Sequence, residues 1–587
     1  MPNKWADHHT QTAPVPVGAA SPGDSSRRKV RRIADETPSG WAGRLPLLIL
    51  AVVAAAFLAL GLAEARADAP TFDEPVYVSA ALATVLHHDV DINDEHPPLP
   101  KVLAVLPVLF THPVIPADGR WSGNDELRYG ARFVAAQLAS GKLRRVTFAA
   151  RLIPLAETAG VAFVLYGLAS ELAGPVAGAL AGVLWLASPL VLGIGHLDGT
   201  DIPFALGAAL GSWALLGWLR RRDRRSLIWL GLGLAAAAET QVTGLLVVAS
   251  ALAVVIAVQW RSGVLRALAQ AALAGLIVWA VVWAVYIAVD PAMLAQLPDL
   301  VPRPYLDGIR YLAVHDTTGS AAYVAGVAYT GGRWWFWPLS LVIKWPATSL
   351  VLLVTGAAGC LRLPPGLRGR AGLAIGLPAV LLTAATLASP KDIGLRYLLP
   401  ALALWAAAAA AGLVTALAGI TAAAGRRLAG AVMAVLLATA VAATAASFPA
   451  SIAWTAWPFR PGYAAATDSD IDWGQGWYAL RSWSAGRHPW VAYFGPRGLT
   501  TGDIPGARPL LGAAPGQVTG WAAVSVSALN SANRAALSWL RDWCPVAVLD
   551  STILIYHFSR PPGARPSQPQ RASPAPVCSG SWSSPHT

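Results

Sequence analysis

Long apolar stretches without interior charge alternate with short polar clusters along most of this chain. Runs of about 18 to 25 apolar residues have the length a helix needs to cross a hydrocarbon core. The pattern predicts spans at residues 45–62, 148–172, 175–195, 202–219, 227–240, 242–259, 267–289, 336–360, 372–389, 397–418 and 428–448. That makes about eleven crossings, with Glu239 and Gln241 at the join of two of the shortest.

The polar positions between spans carry the orientation. The cluster Arg220 to Arg225, the loop Arg261 to Arg266, the loop Arg362 to Arg370 and the pair Arg426 and Arg427 all fall on one side when the spans are threaded in order. The positive-inside rule makes that side cytoplasmic, together with the N-terminal tail. Three segments then face outward: residues 68–147, 290–335 and everything after 449. The organisation expected is a disordered basic tail over 1–44, a membrane domain over 45–448, an extracytoplasmic α/β domain over 449–560 and a disordered Pro/Ser-rich tail over 561–587. Strand-like runs at 491–494, 522–526 and 553–558 predict the sheet of that outer domain. Ala65, Arg66 and Ala67 would suit a signal-peptidase site, but the apolar run before them is long for a signal core, so the first segment is read as a span.

Composition removes the soluble alternative. Of 587 residues, 55% are hydrophobic and 13% charged, where soluble domains carry roughly 25% charge. Mean hydropathy is +0.50. The net charge of +12 does not indicate nucleic acid, because Lys and Arg cluster at span ends and form no polar face. Cys360, Cys544 and Cys578 lack metal-ligand spacing; Cys544 and Cys578 both fall outside and could pair, though the reading leans slightly against a disulfide.

Candidate chemistry lies in the first outer segment. Asp68, Asp73, Glu74, Asp89, Asp91, Asp94 and Glu95 crowd together there, followed by His96, Pro97, Pro98, Leu99, Pro100 and Lys101. A carboxylate just outside a membrane can act as general base on an acceptor hydroxyl, and a nearby cation can hold a phosphate leaving group. An outer loop is also acidic simply because positive-inside bias removes its Lys and Arg.

Thr71-Phe72-Asp73-Glu74 with Tyr77, directly after the first span, resembles the Asp-Glu motif of glycosyltransferase family 39. This family comprises the protein O-mannosyltransferases and related bacterial lipid-linked sugar transferases, among them the aminoarabinose transferase acting on lipid A. Asp94 to Lys101 is similar to the family's His-Pro-Pro-Leu segment, and His196 to Pro203 to its Thr-Asp turn. Gly331 to Pro346, Ile393 to Pro400 and Asp468 to Gln475 are similar to later motifs of bacterial members. The resemblance covers most of residues 45–560. It departs at Asp470 where relatives carry Asn, at Gly476 where they carry Asp, and at Gln241 where many carry Lys.

The resemblance implies an all-α polytopic membrane protein of the type C glycosyltransferase fold with a small outer α/β domain. It implies an inverting enzyme that moves a sugar, mannose-like or aminoarabinose-like, from a polyprenyl-phosphate carrier to an acceptor protein, lipid or glycan on the outer face. Asp73 is then the catalytic base with Glu74 its acidic neighbour, and His96, Lys101, Asp201, Lys344, Arg396 and Asp472 would bind donor phosphate or substrate. Arg151 matches a family arginine and is either structural or phosphate-facing. Glu157, deeper in the same span, is expected in a buried polar pairing. No metal site is assigned and a divalent cation stays open as a cofactor. The alternative reading, a lipid or sugar transporter, would place paired charges or broken helices at the bilayer midplane.

Overall fold

The computed structural model describes residues 41–116, 125–315 and 319–562. By its internal contacts the chain divides into Met1–Leu45, of which only the helical residues 41–45 are described, and Pro46–Thr587, which holds everything below. The tails expected at 1–44 and 561–587 lie outside the described residues, save for helical 41–44 and 561–562.

Among the described residues, eight helices are long and apolar enough to cross a membrane: Gly43–Ala67, Leu143–Ala173, Asp201–Arg221, Gly244–Ser262, Val264–Val289, Pro365–Ala388, Leu395–Ala418 and Ala423–Ser447. Pro175–Leu186 and Pro189–Gly195, bent by 69°, make a ninth if they count as one span. Two expected spans fall short of a full crossing as continuous helices. Arg224–Ala238 has 15 residues. The stretch 336–360 breaks into Phe336–Lys344 and Ala347–Gly359, because Pro346 forces Trp345 into an extended conformation (φ −114°, ψ 138°).

The chain is a multi-pass membrane protein, and burial says why. In Ala423–Ser447 the most apolar window has a mean hydropathy of 2.1, yet only 11% of it is buried within the protein. Water would make such a face untenable; lipid makes it the ordinary solvent. Inside the bundle, Trp185, Trp218, Trp283 and Trp337 are fully enclosed. Small residues allow close crossing: a Cβ on Gly356 would meet Ala409 O at 2.3 Å, so helices Ala347–Gly359 and Leu399–Ala418 can touch only because glycine stands there.

Beyond the first span, helices Glu74–His87, Pro98–Leu109 and Glu126–Ala139 form a satellite layer over the ends of the bundle. A two-stranded hairpin, β1 (Ala321–Val324) and β2 (Val327–Thr330), lies between spans. The C-terminal part is a mixed five-stranded sheet in the order β4-β3-β5-β7-β6. Its strands are β3 (Trp490–Ala492), β4 (Arg508–Pro509), β5 (Gly520–Ser525), β6 (Ala547–Leu549) and β7 (Ile553–Phe558). β3 pairs parallel with β4 and β5, while β7 pairs antiparallel with β5 and β6. Cys544 is disulfide-bonded, against the lean stated above. Cys578 lies outside the described residues.

Candidate active site

The turn after the first span is built around one buried ion pair. Arg151 donates to both carboxylate oxygens of Glu74, each at 2.7 Å, and its remaining N–H groups reach the carbonyls of Ala65, Asp68 and Ala69. Glu74 also accepts from the backbone N–H groups of Thr71 (2.7 Å) and Asp198 (3.1 Å). Burial alone would raise the pKa of Glu74, but Arg151 and these hydrogen bonds bring it below the ordinary range, so Glu74 stays ionised. Every lone-pair direction is thus committed: Glu74 and Arg151 clamp the turn.

That clamp leaves the preceding residue free to point elsewhere. Asp73 stands at the N-cap of Glu74–His87 but makes no capping hydrogen bond. Its carboxylate instead accepts from Arg396 Nη2 at 3.0 Å. Arg396 lies in the 3-10 turn Leu395–Leu398 that opens a late span. Its Nη1 reaches Asp201 at 3.3 Å, on the first turn of Asp201–Arg221. The guanidinium rests on the Trp473 ring, 4.1 Å from its centroid, and also reaches the Tyr397 hydroxyl at 3.2 Å. One arginine therefore spans two carboxylates contributed by distant parts of the chain. Burial raises the pKa of Asp73, partly opposed by Arg396.

These groups line a cavity of about 520 Å³, together with Tyr77, His96, Glu126, Lys391 and Asp468. Its lower wall is apolar, with Phe204, Val242, Leu382 and Ala385. Burial, with Lys101 and Arg396 nearby, pushes the His96 pKa down to about 3, so its imidazole is neutral near pH 7; Nδ1 has no partner among the described residues. The cavity is tied to the C-terminal part through Phe72, which stacks on Phe494 at 5.4 Å and donates its backbone N–H to Trp473 O.

Of the residues named from the sequence, Asp73, His96, Asp201 and Arg396 meet in this cavity. The others have different neighbours. Lys101 Nζ donates to Asn93 Oδ1 and His96 O, each at 2.8 Å, and does not line the cavity; burial lowers its pKa to about 8. Lys344 Nζ is enclosed by the carbonyls of Ile452 (2.7 Å), Trp454 (2.6 Å) and Asp470 (2.5 Å). Asp472 accepts from Ser527 N at 2.8 Å and anchors its segment beyond the end of β5, whereas Asp468 faces the cavity from a left-handed backbone (φ 55°). Gln241 donates to Thr200 Oγ1 at 2.9 Å on the cavity wall.

Sequence reasoning missed Glu126 and Lys391. Lys391 shares the turn that carries Arg396, a proximity that could have flagged it. Glu126 belongs to no motif; it enters through Asn93, whose amide it accepts, and burial raises its pKa to about 7. Among the described residues no group of three or more His, Cys, Asp or Glu side chains is placed to hold a metal.

Residues 137–286 match the family model described as dolichyl-phosphate-mannose-protein mannosyltransferase. No curated protein sequence matches the chain. Among solved structures, similarity is found to ArnT from Cupriavidus metallidurans bound to undecaprenyl phosphate (17% identity, 71% of this chain and 67% of that one, TM-score 0.42). It is also found to the archaeal oligosaccharyltransferase AglB from Archaeoglobus fulgidus with an inhibitory peptide and a dolichol phosphate (11%, 69% and 56%, 0.42). A third is the S. cerevisiae protein O-mannosyltransferase Pmt1-Pmt2 complex bound to the sugar donor (16%, 45% and 35%, 0.30).

Proposed function

We propose that this chain, whose residues 137–286 match the dolichyl-phosphate-mannose-protein mannosyltransferase family model, is a polyprenyl-phosphate-dependent glycosyltransferase whose active site is the cavity around Asp73 and Arg396. Asp73 takes the proton of an acceptor hydroxyl as its oxygen attacks the anomeric carbon of the lipid-linked sugar. The bond from that carbon to the phosphate oxygen breaks, and the charge passes to the phosphate. Arg396 and Lys391, the arginine and lysine side chains lining the cavity, receive the phosphate. A single in-line displacement inverts the anomeric centre.

The observation that supports this reading most is the Asp73–Arg396–Asp201 bridge inside one cavity. The raised pKa of Asp73 makes it a stronger base than an ordinary aspartate. Arg396 is already oriented by the Trp473 face and two carboxylates, so a phosphate meets a guanidinium that needs little further ordering. The apolar wall suits the first isoprene units of a carrier.

The orientation belongs to the same proposal and is supported by the charge at the helix ends. Asp201 and the pair Arg220 and Arg221 sit at opposite ends of one 21-residue helix, about 30 Å apart at 1.5 Å per residue. With the basic ends cytoplasmic, the cavity opens on the outer face, where a carrier lipid replaces nucleotide sugars as donor. Mass spectrometry of surface glycans, glycoproteins and lipids from cells with and without the gene tests the reading. It expects one glycoform lost and restored by the wild-type chain; an unchanged profile refutes it.

A further inference from the structure

We infer that the hollow between helices Asp201–Arg221 and Arg224–Ala238, on the face remote from the Asp73 cavity, is a binding site for the headgroup of an anionic phospholipid. A second cavity of about 330 Å³ lies there, lined by Arg221, Asp223, Arg225, Ser226 and Trp229. Five arginines and one aspartate occupy the six positions from 220 to 225. Arg220 is spent on Glu171 at 2.6 Å. Arg221 and Arg225 are exposed and form no ion pair among the described residues. The lone acid, Asp223, stays ionised beside Arg221 and caps the following helix, its Oδ1 accepting from Ser226 N at 2.7 Å, so the lining sets two guanidinium groups against one carboxylate and remains positive for an incoming anion. With that N–H committed, the guanidinium groups are what an anion would meet.

Trp229 identifies the anion as a lipid. It stands one turn beyond Arg225 on the same helix and is 56% exposed, in company with Ile228 (48%) and Leu232 (39%). Moving along this outer face away from the loop, two cations give way to an indole and then to aliphatic side chains. That is the order of an interface: phosphate at the arginines, glycerol ester level at the tryptophan, acyl chain against Ile228 and Leu232. A free phosphate would use the arginines alone and gain nothing from Trp229.

The test uses the full-length chain purified in a non-ionic detergent, with short-chain phosphatidylglycerol or phosphatidylcholine added and retained lipid counted by native mass spectrometry. Phosphatidylglycerol should be retained over phosphatidylcholine. R221Q/R225Q should weaken that retention roughly thirtyfold, at about fivefold per arginine. W229A should weaken phosphatidylglycerol binding while leaving the arginines intact, which keeps the proposal testable if the double variant fails to fold. R261Q/R266Q, which removes equal charge from another basic loop, should leave retention unchanged. Equal loss in R261Q/R266Q, equal retention of phosphatidylcholine, wild-type retention in W229A, or competition by inorganic phosphate at concentrations matching the lipid would each overturn the assignment.

Discussion

Replacing Glu74 with Gln separates two roles that a carboxylate beside a catalytic aspartate can have. In the structure Glu74 is 2% exposed and faces an Arg151 that is fully buried. Gln keeps the size and one carbonyl acceptor but removes the charge, leaving a buried guanidinium with neutral acceptors alone: that oxygen and the carbonyls of Ala65, Asp68 and Ala69. Breaking one side of a buried pair costs about 3–5 kcal/mol; the neutral acceptors that remain put E74Q at about 3 kcal/mol, the lower end of that range. The measurement is unfolding of purified protein by sodium dodecyl sulfate, followed by tryptophan emission, with transfer activity determined on the fraction that stays folded. E74Q should unfold at clearly lower detergent, and its folded fraction should retain most of the turnover. D73N should do the opposite: stability near wild type, because the Asp73–Arg396–Asp201 cluster holds two carboxylates against one guanidinium, with turnover lost. If E74Q is as stable as wild type but inactive, Glu74 takes part in the chemistry and the clamp argument is wrong.

Other expectations follow from the same geometry. Lys344→Met strands three carbonyls that its ammonium now satisfies, each worth about 1–3 kcal/mol when buried and unpaired, so it should destabilise the protein while the KM for donor in the folded fraction stays unchanged. Arg396→Lys keeps a charge but loses the fork between two carboxylates; donor KM should rise and kcat/KM fall at least about tenfold, and an unchanged value would remove Arg396 from phosphate binding. Glu126, raised to about 7 by burial, binds a proton in the folded chain that the unfolded chain has already lost. Stability should therefore be fully present below the ordinary glutamate range and decline as pH rises from there to about 7, and E126Q should flatten that slope; a wild-type slope in the variant would contradict it. The acid limb of the transfer-rate profile should lie above the ordinary aspartate range, because burial raises Asp73, and activity should fall as pH drops through it.

Much of the fold could be read from the chain because lipid imposes a simple rule: apolar helices of fixed length, with arginines at one end. The rule fails where sequence and geometry part. Hydropathy runs smoothly across 336–360, but Pro346 divides it. The apolar stretch 175–195 divides in the same way, because Pro189 starts a new helix there and Ser188 caps it. At the site, Asp73, Asp201 and Arg396 were legible because each follows or opens a span and so must lie near one membrane face. Lys101 and Lys344 were not, since a buried ammonium takes whatever carbonyls the tertiary fold supplies, and those come from Asn93 and from residues 452–470. Three acids within five residues at 468–472 gave no way to tell which faces the cavity; in the fold Asp468 lines it while Asp472 is held by Ser527.

The proposed reaction requires Asp73 to take the acceptor's proton in a cavity where Arg396 holds the phosphate. It is tested most directly by single-turnover sugar transfer in reconstituted vesicles, with a saturating polyprenyl-phosphate-linked donor, comparing wild type with Asp73→Asn. Donor binding should stay within a few fold of wild type while the rate falls by about 10²–10⁴. Transfer by the variant at the wild-type rate would contradict it.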